Sequence, residues 1–339
     1  MKGITFLIGN GFDVNVGLET RYSDFYKYFI KQYPDNMIAK EIGKEYEYWS
    51  DLEVALGKYT SKISSDKLED FWDSEDLLEL SLAEYLETQM ERICIDSDEK
   101  KKEIAKKMQK SLMEFQNELP KEQQQYINNL LRNTPDTLVY SFISFNYTNA
   151  LNLCIEATKE IFPKNIGSHR SLGNDYFHYI DNILHIHGTT TEELILGVND
   201  ISQIENEEFI NNELYRQWLV KEELNKRFGQ NKIQDARNII DQSIIICVFG
   251  MSIGSTDKMW WEYIGKWLKG LDKRRLIIYV KRNNILKRVT KHVLFLSQNE
   301  IFERFKIGAS LNDAEWNQIA QQIYIKYDSN IFNFKLTVD

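Results

Sequence analysis

An apolar run from Ile4 to Ile8 that breaks off at once into Gly9-Asn10-Gly11 restricts this chain more than any other feature. A short run of that kind, closed by glycine, reads as a buried parallel strand leaving its sheet through a tight turn. Further strand-like runs stand at 137–145, 183–187, 194–198, 243–249 and 276–280, with polar or helical segments between them. That alternation predicts an α/β fold built on a mostly parallel sheet. One or two helices are expected over 205–241, another over 256–268, and a last one over 312–325 opened by an Asn312 or Asp313 cap. Between the first two strands, residues 35–135 are charged and helix-periodic, with only Pro120 interrupting. They are expected to form a large helical insertion into a sheet domain made of residues 1–34 and 136–339.

Composition narrows the classes further. Hydrophobic residues make up 42% of the 339, enough for a sizeable core, and 16 Gly with 4 Pro leave little room for linkers. The net charge of -9 argues against a whole-surface affinity for nucleic acid or anionic membrane. Cys94, Cys154 and Cys247 are far apart and form no C-x-x-C pair, so they read as reduced core residues. The first residues lack the long apolar stretch of a secretory signal, and no run reaches the 18 or so apolar residues of a membrane span, so the expected location is the cytoplasm.

Four segments carry candidate chemistry. In Gly9-Asn10-Gly11-Phe12-Asp13, followed by Gly17, glycine allows close approach to a ligand and leaves amides for pyrophosphate oxygens. Val14 stands where the strict dinucleotide fingerprint wants its third glycine, and the alternative reading of the segment is a plain strand-to-helix turn. In Ser144-Phe145-Asn146-Tyr147-Thr148, Asn146 sits at the carboxyl end of a strand, where it fixes a water or ribose hydroxyl, or merely makes an Asx turn. In His185-Ile186-His187-Gly188, His185 reads as structural and His187 as a general base near neutral pH. No accompanying Cys or H-E-x-x-H pattern supports metal ligation, and no metal is expected. In the fourth, Gly250, Ser252, Ser255 and Asp257 follow an apolar strand, as a ribose or phosphate contact or as an ordinary capped loop.

In this order, I-G-N-G-F-D with Y-S-D-F, S-F-N-Y-T, H-I-H-G, G-V-N-D and F-G-M-S-I-G-S-T-D resemble the AbiH family of bacteriophage abortive-infection proteins. That family is in turn similar to sirtuin-like NAD-binding proteins, which implies a Rossmann-like nucleotide-binding sheet. By this resemblance Gly9, Gly11 and Gly17 match the three loop glycines and Asp13 replaces a serine. Asn146 matches the Asn near the nicotinamide ribose, and His187 the catalytic His. Thr148 replaces the Asp that helps hold the nicotinamide amide, and the paired C-x-x-C zinc module of deacetylases is absent. The resemblance thus implies an anti-phage effector that hydrolyses NAD to nicotinamide and ADP-ribose, with Asn10, Thr148, Gly250, Ser252, Ser255 and Asp257 around the nucleotide. A homo-oligomer and a phage-derived activator are the implied partners.

Two other readings stay open. Ten Lys or Arg fall between Lys266 and Lys291, among them Lys273-Arg274-Arg275, Lys281-Arg282 and Lys287-Arg288, which would suit a nucleic-acid-binding or nuclease effector. Charges flanking a strand are more often simply solvated. A nucleotide sensor without turnover is the third.

Overall fold

The computed structural model describes residues 1–192, 194–229, 231–254, 256–282 and 290–337. Seven strands form one sheet, β1 (Lys2–Ile8), β2 (Leu138–Ser144), β3 (Gly167–Ser171), β4 (Asn174–His185), β5 (Ser243–Phe249), β6 (Arg275–Val280) and β7 (Ile323–Tyr327), in the order β3-β4-β2-β1-β5-β6-β7. All neighbours are parallel except the β3–β4 hairpin at one edge. The architecture is a mixed α/β one with a mostly parallel sheet and many helices. Strand order reverses direction at β1: the chain first builds outwards to β2 and β4, then returns to add β5, β6 and β7 on the other side. The helices that follow β1 and β5 go to opposite faces of the sheet, Phe12 into one core and Trp260 into the other, and a crevice lies at the carboxyl ends of the strands there.

Strand alternation fills both faces. Ile4, Phe6 and Ile8 of β1 pack with Ile104, Met108 and Leu112 of the helix Asp98–Met113 and with Leu151 and Ile155 of the helix Ala150–Ile161. Leu7 points the other way, into a core with Ile240, Trp260, Trp261 and Phe305. A third core lies off the sheet: Phe25, Phe29, Ile42, Trp49, Leu56, Phe71 and Leu82 from the early helices share it with Leu196, Val198, Phe209 and Leu219. The segments around 22–90 and 194–228 therefore make a helical lobe, whereas the helices Asp98–Met113 and Lys121–Arg132 cover the sheet.

Several elements differ from expectation. The run 194–198 is not a sheet strand; Val198 makes one isolated parallel bridge to Val220 within the helical lobe. Gly197 passes so close to the Leu219 carbonyl that an added Cβ would lie 2.4 Å from its oxygen, so the run is committed to the lobe. The strand expected at 183–187 begins earlier and ends at His185. The region 205–241 breaks into four helices, Glu207–Asn211, Glu213–Leu219, Lys221–Arg227 and Lys232–Gln242, two of them opened by Asn206 and Asn212 side-chain caps. The last helix stops at Ile319, and Ile323–Tyr327 becomes β7 beside β6, where its β-branched residues suit the sheet. The antiparallel edge strand β3 had no sequence signal. Cys94, Cys154 and Cys247 are free thiols. No helix among the described residues is long and apolar enough to cross a membrane.

Candidate functional site

The crevice at the strand reversal holds a cleft of 640 Å³ whose lining includes Gly9, Asn10, Arg21, Phe145, His187, Gly250, Ser252 and Asp257. A second cleft of 590 Å³ runs towards β6 and β7, past Gly11, Tyr279, Lys281 and Arg304. The two share Asn10, Arg21, Gly250, Met251 and Ser252. The first lies between the sheet ends and the helical lobe, which contributes Tyr22, Tyr26, Glu47, Asp51 and Glu53.

The glycines do something other than cradle a ligand with free amides. The Gly9 N–H donates to the Phe249 carbonyl at 3.0 Å, and the Gly11 N–H to the Gly250 carbonyl at 2.8 Å. A Cβ on Gly11 would lie 2.5 Å from the Gly250 Cα, and one on Gly250, whose φ is 70°, 2.6 Å from the Phe12 nitrogen. The β1 and β5 loops are thus stitched backbone to backbone, and only residues without side chains fit the seam. Gly17 ends the helix Gly11–Val16 with φ 111°, packed on Thr337, and lines neither cleft. The Asn10 side chain is tied to Thr20, donating to its carbonyl at 2.8 Å and accepting from its hydroxyl.

Asp13, Asn146 and Thr148 come together out of solvent. Asp13 is 1% exposed; its carboxylate accepts from Asn146 Nδ2 at 2.9 Å and from the Thr148 hydroxyl at 2.7 Å. Burial pushes the carboxyl up to about 7, against the opposing pull of the Thr148 and Asn146 hydrogen bonds. Asn146 Oδ1 is buried without a partner. The Thr148 hydroxyl is thus taken up by Asp13.

His187, 4% exposed, lies two residues past β4 and lines the main cleft. Its Nδ1 meets the Lys221 ammonium, which is also ion-paired with the buried Glu53. The Tyr147 hydroxyl donates to Glu53 at 2.8 Å. Because Lys221 donates into Nδ1, the neutral ring carries its hydrogen on Nε2, and that atom is buried without a partner. Burial and the neighbouring Lys221 hold the imidazole well below its usual range, so it stays neutral. His187 therefore presents an N–H donor, where the sequence had suggested a proton acceptor. His185 is engaged by Asn152 Oδ1 at 2.8 Å and the Asn146 carbonyl. Asp257 lines the cleft, and its carboxyl is raised to about 7 by burial and then by Glu53, with Asp51 adding to this and Lys221 opposing. Ser255 lies outside the described residues. Among those residues, no three His, Cys, Asp or Glu side chains gather as a metal-ligand group.

A family model described as bacteriophage abortive infection AbiH matches residues 5–281. The chain belongs to the AbiH family. Its role is accordingly one in bacteriophage abortive infection. No curated protein and no solved structure gives a significant match. The family region contains every residue lining the main cleft and the whole Glu53, Lys221 and His187 chain, while β7 and Arg304 of the second cleft fall beyond it.

Sequence reasoning missed Glu53, Lys221 and Arg21. Lys221 sits in Lys221-Glu222-Glu223, which reads as a solvated helix start, and Glu53 in an ordinary charged helix. Three arginines of the basic run make contacts within the chain: Arg275 is buried over the Tyr126 ring, Arg274 donates to the Trp267 carbonyl, and Arg282 pairs with Asp328. Lys287 and Arg288 lie outside the described residues.

Proposed function

We propose that this AbiH protein is an effector that binds a nucleotide of the NAD type across the strand reversal and hydrolyses its nicotinamide glycosidic bond. The observation that carries the reading is the pair of clefts meeting at Asn10, Arg21 and Gly250, with His187, whose Nε2 is buried and unpartnered, in the lining of the first. Buried polar atoms without partners are costly unless a water or ligand completes them. Strand order adds support. Without the antiparallel β3, the parallel strands numbered by appearance run 3-2-1-4-5-6, the order of dinucleotide-binding sheets, whose ligands cross the same switch point. Each cleft is of ordinary ligand-site size. The motif positions of Asn146 and His187 agree with the sirtuin-like resemblance.

In this reading the glycosidic C–N bond breaks with its electron pair going to the nicotinamide nitrogen, and water supplies the new C–O bond. His187 donates from Nε2 to a ribose or carboxamide oxygen and orients the ring. Asp257, with its carboxyl near 7 and its place on the cleft wall, takes the proton released by water. The loop amides of Gly9 and Gly11 hold no phosphate, being already bonded; Arg21, shared by both clefts, is the group for the diphosphate. Such an activity must be silent until infection, so a phage-derived trigger belongs to the proposal.

The test is nicotinamide release from NAD by purified protein, with and without phage lysate, compared with Asn146→Ala and His187→Ala. Release that disappears in both folded variants supports hydrolysis. A folded protein that releases nothing under either condition rules out turnover and leaves a binding role to be decided by calorimetry.

A further inference from the structure

The two clefts differ in what lines them. The lobe side of the main cleft carries three tyrosines, Tyr22, Tyr26 and Tyr46, and three acids, Glu47, Asp51 and Glu53, the last paired with Lys221. Their rings adjoin: Tyr22 and Tyr26 lie parallel at 6.3 Å between centroids, and Tyr46 stands edge-on to Tyr26 at 5.7 Å. Neither Glu47 nor Asp51 has an ion-pair partner among the described residues, and Asp51 accepts hydrogen bonds from the Val54 N–H and the Thr256 hydroxyl. The second cleft carries Lys281 and Arg304 instead, and Arg21 stands where the two join. Acids beside aromatic rings are the surroundings that recognise an organic cation, because a ring face and a carboxylate both attract positive charge while repelling phosphate. A second, separate observation marks this cleft as a place for a ligand: His187, whose Nε2 is buried and unpartnered, belongs to its lining.

We infer that the lobe side of the main cleft is a subsite for a planar organic cation, with Tyr22, Tyr46, Glu47 and Asp51 selecting its charge and the buried Tyr26 backing the two tyrosine rings. The inference rests on the nucleotide reading for its orientation: the oxidised pyridinium ring enters the acidic half, the diphosphate passes Arg21, and the adenosine lies towards Lys281. It gives that ring to the helical lobe and leaves the stitched glycine loop as the floor.

The test separates charge from shape and from the nucleotide. Binding of 1-methylnicotinamide, the cation, and of neutral nicotinamide is measured on the intact chain by ligand-observed NMR, with ADP-ribose titrated by calorimetry. The cation is expected to bind on the order of tenfold more tightly than the neutral ring, given typical cation-π and exposed charge-pair strengths. Glu47→Gln combined with Asp51→Asn should erase most of that preference without changing ADP-ribose affinity; asparagine keeps the helix cap that Asp51 provides. Glu47→Gln alone, at an exposed position, supplies a variant with little risk to folding. Equal binding of the two rings, or a preference untouched by the variants, overturns the inference. Absence of ADP-ribose binding with the cation preference intact leaves the subsite standing and instead removes the nucleotide reading.

Discussion

Two buried carboxylates, Asp13 and Glu53, are kept in this molecule by opposite means. Asp13 is surrounded by neutral donors, Asn146 Nδ2 and the Thr148 hydroxyl, and burial lifts its carboxyl to about 7. Glu53 has a full cation, Lys221, and the Tyr147 hydroxyl. The first arrangement joins the ends of neighbouring strands and changes charge near neutral pH. The second spans 168 positions of sequence and ties the helical lobe to His187. A neutral cage permits a proton to come and go, whereas an ion pair fixes a tautomer and a position.

Removing the cation should therefore have the largest effect. Lys221→Met leaves Glu53 buried without its counter-charge and should cost about 3–5 kcal/mol in urea unfolding. Adding Glu53→Gln should recover most of it, since the stranded charge is gone. Asn146→Ala, which removes one neutral donor from Asp13, should cost only about 1–2 kcal/mol. Equal losses at the two sites, or a double variant no better than Lys221→Met, would erase the distinction.

Next in size is the pH response of the neutral cage. Asp13 has a carboxyl raised in the fold, so its stabilising contribution is complete below the unfolded value of 3.8 and is lost as pH rises to about 7. The full difference is at most about 4 kcal/mol, from about 1.4 kcal/mol per pH unit. Asp13→Asn keeps the shape and carries no charge to bury. Its stability relative to the native chain should rise between pH 4 and pH 7 and then level off. A difference between the two proteins that stays flat across that range refutes the buried-charge account.

The same contrast explains what the sequence made legible. The Asp13 cluster was readable because each member sits in a short motif at a strand end: glycines and Asp13 after β1, Asn146 and Thr148 after β2. Apolar runs located β1, β2, β5 and β6 for the same reason, with a glycine stop after β1 and β5, since their signal is local. Nothing local marks Glu53 or Lys221, whose burial arises only when two distant helical segments pack into one lobe. The run 194–198 looked like a strand because Ile195, Leu196 and Val198 are apolar, but their burial in or beside the lobe satisfies the same pattern. The glycines were found and their purpose was not: whether an amide faces a ligand or another loop depends on Gly250, more than two hundred residues away.

A third carboxyl sharpens the comparison with the smallest expected effect. Asp257 has the same raised value as Asp13, about 7, but it lines the cleft and faces charged groups, with Glu53 and Asp51 raising it and Lys221 lowering it. His187 on the same wall stays neutral throughout, so it adds no step of its own. If Asp257 accepts the proton from water, its ionised form is the active one. Nicotinamide release should then be fully present above pH 7 and fall about tenfold for each unit below, which corresponds to about 1.4 kcal/mol per unit. Asp257→Asn should abolish that limb together with most of the rate, while Asp13→Asn leaves the limb where it is. A limb that moves with Asp13 and not with Asp257 would transfer the proton-accepting role from the cleft wall to the buried cage.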